Sequence, residues 1–333
     1  MEKSKENTNE NDSHILKNYK LDRLLGEGAH GKVFLCHKIP SKNKKKSKKP
    51  PKKYAIKILN KKHILDKNEF EHTKAEKLVM KHVQHPFIVG LKYSFVTSKS
   101  LCFVMEFMKG GELFQHLKRM KRFTENQTKF IAACIILALG HLHNSGFIYR
   151  DLKPENVLFS EKGYVKLTDF GLAKCMKEES ITTTFCGTPE YMSPEVILSR
   201  GCNRTVDWWA LGILLYEMIY GIPPFYNKDV QQMYKNTVLR PLKFRNYAKL
   251  SKNGKDFLTK LLAKNPDERL GANAGSLEAM DHPWLKDFNW SGLMDQSLSP
   301  PYKPMKNLKD WTANFVDFTK KNLKDIRYNF FIF

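Results

Sequence analysis

Residues 149–156, YRDLKPEN, form the most informative stretch of the sequence, since five of the eight side chains are charged or carry an amide. The triplet Asp169-Phe170-Gly171 follows eighteen residues after Asp151, and Ser193-Pro194-Glu195 comes later still. These three blocks mark the part of the chain that carries chemistry.

A glycine-rich stretch lies upstream at residues 26–33, GEGAHGKV, between two strand patterns. Its glycines let backbone N–H groups approach phosphates closely, although an ordinary glycine-rich hairpin has the same pattern. A Rossmann-type site is disfavoured, because a strand pattern and not a helix follows the glycines. In the following YAIK, Lys57 lies in an apolar strand, where an unpaired ammonium is costly to desolvate. It therefore needs an anionic partner, either Glu76 or a nucleotide phosphate.

The glycine-rich loop, YAIK, YRDLKPEN, DFG and SPE occur in the order typical of protein kinases, which the chain resembles from about residue 19 to residue 285. FCGTPEY at residues 185–191, the helix pattern EHTKAEK and the C-terminal segment resemble the AGC group. DLKPEN points to serine and threonine acceptors. A catalytically weak, kinase-like scaffold is the competing interpretation; it is disfavoured because the expected Lys57, Glu76, Asp151, Asn156 and Asp169 are all present.

The resemblance implies an α+β, bilobal protein kinase fold, with a small β-rich N-lobe holding one key helix, a large α-helical C-lobe and a C-terminal tail wrapping both. The sequence patterns agree, because short runs rich in Val, Ile, Phe and Tyr give way to helical patterns after Gly110. The predicted divisions are a disordered tail at 1–18, an N-lobe and hinge at 19–108 with a Lys-rich loop insert at 41–53, a C-lobe at 109–285 and an AGC-type tail at 286–333.

The net charge is +23 at pH 7, from 57 Lys and Arg against 34 Asp and Glu. Such an excess is typical of proteins that bind nucleic acid or anionic membranes. Eight of the lysines fall in residues 41–53, SKNKKKSKKPPKK. No aromatic residue interleaves them, so base stacking has no platform and stable nucleic-acid binding is not expected. A solvated loop is the favoured interpretation, with a nuclear-import signal or an anionic-surface tether as alternatives.

Membrane-spanning and disulfide-rich classes are both disfavoured. The longest apolar run falls far short of the ~20 residues that a membrane span requires. The six cysteines show no zinc-type spacing, and reduced thiols are the simplest account of them. The expected location is the cytoplasm, with nuclear import as the alternative, and the expected state is a monomer.

The resemblance implies a catalytic role for four residues. Asp151 would orient the substrate hydroxyl and accept its proton, while Lys153 would neutralise the transferring γ-phosphoryl group. Lys57 would bind the α- and β-phosphates and be held in place by Glu76. These roles suit phosphoryl transfer, in which catalysis is mostly positioning and charge neutralisation.

ATP and Mg²⁺ are the cofactors that the resemblance implies. Asn156 and Asp169 would hold the metal through hard oxygen ligands. Met105 would be the gatekeeper of the adenine site. The residues assigned to the nucleotide are Gly26, Glu27, Gly28, Ala29, His30, Gly31, Lys32, Val33, Ala55, Lys57, Met105, Glu106, Met108, Leu158 and Phe315.

Thr184 matches the activation-segment threonine that is phosphorylated in the AGC group, which implies an upstream activating kinase. A phosphate there adds about −1.5 to −2 charge and three acceptor oxygens. His72, Arg150 and Lys174 are the basic residues expected to coordinate it. Phosphorylation of Thr184 is therefore expected to order the activation segment.

The resemblance implies basic peptides or proteins as substrates. Glu112, Glu155 and Glu217 match the carboxylates that receive arginines two and three positions before the acceptor. Glu217 lies inside an apolar helix pattern, where a carboxylate is expensive without a function or a partner; a structural hydrogen bond is its alternative explanation. The pocket for the residue after the acceptor would be lined by Phe185, Pro189 and Met192. In the tail, Phe330 and Phe333 resemble the hydrophobic motif that docks in cis on the N-lobe.

Overall fold

The computed structural model describes residues 18–28, 31–39, 51–66, 70–176, 185–305 and 311–315. The predicted roles of Ala29, His30, Thr184, Phe330 and Phe333 lie outside these ranges, as do residues 1–17 of the predicted tail and residues 41–50 of the predicted insert. None of the helices in the described ranges has the length and apolar character needed to cross a membrane.

The chain divides into two compact units. The smaller contains Met1–Thr73, Gly90–Met108 and Phe315–Phe333, and the larger contains Lys74–Val89 and Lys109–Asn314. The smaller unit is built on a sheet, whereas helices dominate the larger, so the predicted α+β architecture is confirmed.

The sheet of the smaller unit has five antiparallel strands in the order β1-β2-β3-β5-β4. Tyr19 on the first edge strand stacks on Phe95 on the last, with ring centroids 6.4 Å apart, so the sheet curls around a core that includes Phe34, Ile56 and Val104. The β-branched and aromatic runs of the sequence suit such a half-buried pleated surface. The strands are β1 (Tyr19–Gly28), β2 (Gly31–Lys38), β3 (Lys53–Asn60), β4 (Leu91–Val96) and β5 (Ser100–Glu106).

Two helices follow β3 in sequence. The first, α1 (Lys61–Asp66), is a short helix that the sequence patterns did not indicate. The second, α2 (Phe70–His82), contains the helix pattern EHTKAEK and buries Glu76, Val79 and Met80. Its first turn belongs to the smaller unit and the remainder to the larger.

The larger unit is organised around two helices, α4 and α6, that are buried over most of their length. Thr124 begins α4 with a reciprocal capping box formed with Gln127, which satisfies two N-terminal amides. Gly221 ends α6 in the left-handed conformation that favours glycine. The helices are α3 (Leu113–Met120), α4 (Glu125–Asn144), α5 (Pro194–Ile197), α6 (Thr205–Tyr220), α7 (Val230–Leu239), α8 (Lys252–Leu261), α9 (Ser276–Asp281) and α10 (Trp290–Met294).

Short strands in the larger unit hold the loops that carry the motifs. Three of them form the sheet β6-β8-β9, and β7 pairs with β10. They therefore support both sides of the YRDLKPEN stretch and the segment that follows DFG. The strands are β6 (Gly111–Glu112), β7 (Phe147–Ile148), β8 (Val157–Phe159), β9 (Val165–Leu167) and β10 (Lys174–Cys175).

The described part of the tail up to residue 305 packs on the larger unit. The Tyr302 hydroxyl lies 2.7 Å from Nδ1 of buried His116, and its ring contacts Phe159. The Tyr164 hydroxyl donates to the Leu298 carbonyl at 2.5 Å. At Gly163 a Cβ atom would collide with the Tyr302 carbonyl oxygen, so only glycine allows this approach.

Candidate active site

The backbone of the YRDLKPEN loop is held by one buried carboxylate. Asp207, fully buried on α6, accepts hydrogen bonds from the backbone amides of Tyr149 at 2.9 Å and Arg150 at 2.8 Å. The His143 Nε2 atom lies 2.8 Å from the same carboxylate. Asp207 therefore anchors this loop. Arg150 has a φ of 64°, a strained conformation that the two anchored amides maintain.

Asp151, Lys153 and Thr188 form a compact polar cluster. The Lys153 Nζ atom donates to Asp151 Oδ1 at 3.0 Å and to the Thr188 hydroxyl at 3.1 Å, and this hydroxyl donates to Asp151 at 3.4 Å. Burial raises the pKa of Asp151, and the positive charge of Lys153 opposes that rise. The carboxylate is poorly solvated and lies beside a cation, which suits a group that must accept a proton. Thr188 is a member of the cluster that the sequence analysis did not single out.

Asn156 lies beside the Asp151 carboxylate. Both hydrogen-bond donations from its Nδ2 atom go to Asp151, to the backbone carbonyl at 2.8 Å and to Oδ2 at 2.7 Å. Because the amide protons face Asp151, the amide oxygen is the atom that Asn156 can offer to a cation. The Thr168 amide donates to the Asn156 carbonyl at 3.0 Å, which brings the start of the DFG segment next to this loop.

The donor set fits Mg²⁺ bound together with phosphates. Among the described residues, no three His, Cys, Asp or Glu side chains form a group that could hold a metal by themselves. Mg²⁺ usually takes one or two carboxylates and completes its octahedron with water and substrate phosphates. Asp169 and the Asn156 amide oxygen supply hard oxygen donors of this kind. Asp169 adopts a φ of 57°, which aspartate tolerates better than most residues.

Lys57 and Glu76 are both buried, at 7% and 3% exposure, so neither side chain is an ordinary surface charge. Lys57 lies on β3, opposite Val33 on β2 and Phe103 on β5. Glu76 lies on α2 in the part of that helix that belongs to the larger unit. Their predicted pairing joins residues of different units and stays a prediction.

Most of the residues predicted for the nucleotide lie on the sheet of the smaller unit. Gly26 pairs with Val33 across the β1–β2 hairpin, and Ala55 pairs with Met105 across β3 and β5. Gly31 has a φ of 129°, and a Cβ atom there would collide with a backbone oxygen of β3, so this position requires glycine. The other described members are Glu27 and Lys32, which form an ion pair at 3.4 Å, Gly28 at the end of β1, and Leu158 on β8 of the larger unit.

The predicted hinge follows β5. The Glu106 carboxylate accepts a hydrogen bond from the Gly90 amide at 2.8 Å, and Met108 is buried. Phe315 stacks on Phe107 with ring centroids 5.8 Å apart. Phe107 lies within the predicted hinge, Glu106 to Met108, but its stacking on Phe315 was not predicted, because its position in the sequence gives no sign of a partner in the tail.

The Glu155 carboxylate lies close enough to Glu112 and to Glu217 to affect the ionisation of both. Burial raises the pKa of Glu112 to about 6, and the charge of Glu155 adds to the rise. Burial likewise raises the pKa of Glu217 to about 7, with Glu155 and Glu190 adding to it. Burial also raises the pKa of Glu155. The three predicted carboxylates therefore share one electrostatic environment, and Glu190 is a fourth member that the sequence analysis missed.

Tyr191 donates a hydrogen bond from its hydroxyl to Glu217. This bond partly offsets the effect of burial on the Glu217 pKa. The alternative explanation of Glu217, a structural hydrogen bond, therefore has a partner in the structure. One hydrogen bond leaves the Glu217 carboxylate able to accept others. The bond to Tyr191 is therefore compatible with the predicted role of Glu217 in binding a substrate arginine.

Two of the three residues predicted to line the pocket for the residue after the acceptor, Phe185 and Met192, contact Tyr234. Phe185, 54% exposed, makes an edge contact with the Tyr234 ring at 6.2 Å. The Tyr234 hydroxyl donates to the sulfur of buried Met192 at 3.5 Å. Pro189 starts the short 3-10 helix between them. Tyr234 comes from α7, more than forty residues away in sequence, and no local pattern could have indicated it.

Two of the three basic residues predicted to coordinate a phosphate on Thr184 lie near each other. Arg150 Nε donates to the Leu172 carbonyl at 2.8 Å, while its buried Nη1 has no hydrogen-bond partner in the part of the chain that the structure describes. Both Arg150 and Lys174 lower the pKa of the Cys186 thiol, against a larger rise caused by burial. Cys186 follows Thr184 by two positions. His72 lies in the first turn of α2, which belongs to the smaller unit, whereas Arg150 and Lys174 belong to the larger unit.

Comparisons with known proteins agree with these motifs. Residues 19–285 match the protein kinase domain model. The chain is 46% identical over 295 residues to serine/threonine-protein kinase Sgk3 of Rattus norvegicus, covering 88% of this chain and 57% of that protein. It is 46% identical over 284 residues to human Sgk2, covering 85% of this chain and 74% of Sgk2.

A fungal relative shows the same similarity. The chain is 44% identical over 308 residues to serine/threonine-protein kinase YPK2/YKR2 of Saccharomyces cerevisiae, covering 92% of this chain and 44% of that protein. The chain thus spans little more than half the length of Sgk3. The family model and the Sgk2 match each cover enough of the sequence to assign it. This chain therefore belongs to the protein kinase family, in the AGC serine/threonine branch.

Proposed function

We propose that the chain transfers the γ-phosphate of ATP to serine and threonine hydroxyls of protein substrates. The observation that carries the proposal is the cluster of Asp151, Lys153 and Thr188 on a loop anchored by Asp207. A carboxylate beside a lysine and a hydroxyl gives a proton acceptor next to a cation. Phosphoryl transfer needs that pair, because its transition state carries negative charge while the attacking hydroxyl loses a proton.

Each group in the cluster has one task. Asp151 orients the substrate hydroxyl and accepts its proton, and the Lys153 ammonium stabilises the negative charge on the transferring group. Asn156 and Asp169 would hold Mg²⁺, which neutralises charge on the phosphates when bound. Buried Lys57 would bind the α- and β-phosphates, with Glu76 as its proposed partner.

The substrate is proposed to carry arginine two or three positions before the acceptor. Glu112, Glu155 and Glu217 support this, because the charge of Glu155 raises the pKa of the other two, and carboxylates this close together gain from a neighbouring guanidinium. Glu190 belongs to the same cluster. An apolar residue is expected after the acceptor, since Phe185, Met192 and Tyr234 offer aromatic and thioether surface there.

Activation is proposed to depend on a phosphate at Thr184, added by an upstream kinase. The unpartnered, buried Nη1 atom of Arg150 supports this, because a buried guanidinium donor is costly to leave unsatisfied. Lys174 and His72 would supply further charge. The proposal extends to cis docking of Phe330 and Phe333 on the smaller unit, to a monomeric state, and to a cytoplasmic location with nuclear import as the alternative.

The proposed function is tested by phosphorylating an arrayed peptide library with Mg-ATP, using protein with and without phosphate at Thr184. The expected result is transfer to Ser and Thr peptides with arginine before the acceptor, at a higher rate for the Thr184 phosphoprotein. Asp151→Asn should abolish transfer while leaving thermal unfolding cooperative. Undetectable transfer by the wild-type phosphoprotein would favour the scaffold interpretation, and equal rates with and without the phosphate would refute the switch.

A further inference from the structure

Three tyrosines gather at one end of the curled sheet in the smaller unit. The Tyr19 ring makes an edge contact with Tyr54 at 6.4 Å, and both Tyr54 and Tyr93 contribute to raising the Tyr19 pKa to about 12, although burial is the larger cause. Tyr93, on the edge strand β4, is 53% exposed. We refer to Tyr19, Tyr54 and Tyr93, together with the lysines that cover them, Lys38 and Lys52, as the tyrosine end.

The two lysines lie over the tyrosine rings. Lys38 Nζ is 5.8 Å from the Tyr93 ring centroid, and Lys52 Nζ is 5.9 Å from that of Tyr54. These distances are typical of cation–π contacts, which hold an ammonium near a ring while leaving it hydrated. Two more lysines lie near this end of the sheet. Lys20 on β1 and Lys53 on β3 both pair with His37 on the strand between them, β2.

Two acidic side chains on these strands, Asp22 and Glu106, already have hydrogen-bond partners. Asp22 Oδ2 lies 2.7 Å from His37 Nδ1. The Glu106 carboxylate, opposite Tyr54 in the register, accepts the Gly90 amide at 2.8 Å. Lys20, Lys38, Lys52 and Lys53 are all exposed, so cations outnumber acids at this end of the sheet.

The sequence adds further positive charge in residues 40–50, which lie outside the described residues. The chain leaves the sheet after Lys38 and returns at Lys53, and residues 40–50 between them contain six further lysines and no acid. Ile39, at the point of departure, is 46% exposed. Cations beside an exposed isoleucine and an exposed tyrosine form the combination that favours the boundary between water and lipid headgroups.

Nucleic acid fits this surface less well than a membrane does. Single-stranded nucleic acids bind basic surfaces by stacking bases on open aromatic faces. Here Lys38 and Lys52 lie over the rings of Tyr93 and Tyr54, and Tyr19 is buried. A lysine therefore occupies one face of each of these two rings, which leaves less aromatic surface for bases, while a tyrosine hydroxyl can donate a hydrogen bond to a phosphate oxygen.

We infer that the tyrosine end is a docking surface for membranes that contain acidic phospholipids. Each lysine near such a surface strengthens binding by about fivefold. The surface would bring the chain to a membrane without taking part in phosphotransfer, so the inference does not depend on the proposed function.

The test is sedimentation of the full chain with vesicles of phosphatidylcholine, with and without phosphatidylserine. We expect binding only when phosphatidylserine is present, and a loss of at least about tenfold for Lys38→Glu/Lys52→Glu. The matched control is Lys252→Glu/Lys286→Glu, which reverses two exposed lysines of the larger unit and should bind within about twofold of wild type. Tyr93→Ser should weaken the binding that survives at high salt, where charge attraction is screened.

The outcomes separate this surface from general charge attraction. Equal losses in the two double variants would overturn the inference, as would unchanged binding of Lys38→Glu/Lys52→Glu when deletion of residues 40–50 alone abolishes it. Tighter binding of wild type to single-stranded DNA than to phosphatidylserine vesicles would overturn the choice of partner. Thermal unfolding checks that each variant is folded, and phosphorylation of a soluble peptide should be unchanged in Lys38→Glu/Lys52→Glu.

Discussion

The Thr188 hydroxyl lies between the two charged groups on which the proposed phosphotransfer depends. It accepts a hydrogen bond from Lys153 and donates one to Asp151. We expect Thr188→Ala to lower kcat for peptide phosphorylation by about 10- to 100-fold, because about 1–3 kcal/mol of positioning is lost. Steady-state kinetics at saturating ATP measures this. Thr188→Ser keeps the hydroxyl and should retain most of the activity; equal losses in both variants would show that the hydroxyl is not the important group.

The Tyr191 hydroxyl affects the pKa of Glu217. Its hydrogen bond lowers a carboxyl pKa that burial has raised to about 7. Tyr191→Phe should therefore raise this pKa further, so that less of the carboxylate is ionised near neutral pH. We expect KM for an arginine-containing peptide to increase most below about pH 7 and to recover as the pH rises.

A peptide in which the arginine is replaced by norleucine is the control for this effect. Its KM should be the same for wild type and Tyr191→Phe at every pH, because an uncharged side chain gains nothing from an ionised Glu217. Parallel changes in KM for both peptides would mean that Tyr191 supports the pocket and does not tune the carboxylate.

A buried ion pair joins three elements of the larger unit. Arg269 donates to both Glu195 oxygens, at 2.7 and 2.9 Å, and to the backbone carbonyls of Thr205 at the start of α6 and Ala263 after α8. Glu195 lies on the short helix α5, which has no other charged anchor of this kind in the described residues. This geometry indicates a structural role for the pair.

Removing one partner of this ion pair should strongly destabilise the fold. Glu195→Leu leaves a buried guanidinium without its carboxylate, and we expect the free energy of unfolding to fall by about 3–5 kcal/mol. Glu195→Leu/Arg269→Leu should lose less than the sum of the two single variants, since no unpaired charge remains. Urea unfolding of the three variants gives the coupling energy. Additive losses would mean that the two charges stabilise the fold independently.

The sequence predicted what depends on local pattern. The strand runs and the α2 helix were identified because the hydrophobic period is visible along the chain. Thr188, Tyr191 and Tyr234 were missed as partners, since each acts through a residue that is distant in sequence: 35 positions separate Thr188 from Lys153, and 26 separate Tyr191 from Glu217. Such contacts are set by how helices and loops pack, which no local period encodes.

Two glutamates and two histidines of the larger unit make opposite contributions to the pH dependence of its free energy of unfolding. The pKa of Glu112 is raised from 4.5 to about 6 and that of Glu217 from 4.5 to about 7, mainly by burial. Burial lowers the pKa of His85 and of His116 from 6.5 to about 4. All four groups titrate between about pH 4 and pH 7, so their effects overlap.

The signs of these contributions follow from proton binding. Between about pH 4.5 and 7 the folded state holds protons on Glu112 and Glu217 that the unfolded state has released, so these two groups make the free energy of unfolding fall as pH rises. Between about pH 4 and 6.5 the unfolded state holds protons on His85 and His116 that the folded state lacks. The two histidines therefore make the free energy of unfolding rise as pH rises. The two trends largely cancel in the wild-type chain.

Removing the carboxylates should expose the histidine contribution. We expect the free energy of unfolding of Glu112→Gln/Glu217→Gln to rise by about 1–3 kcal/mol between about pH 5 and pH 6.5, while the wild-type value changes much less. Urea unfolding at the two pH values measures both slopes. His85→Gln/His116→Gln is the mirror variant, and its stability should fall over the same interval, because only the two carboxyls then remain to titrate. Identical slopes in wild type and both variants would place the pH dependence in other groups.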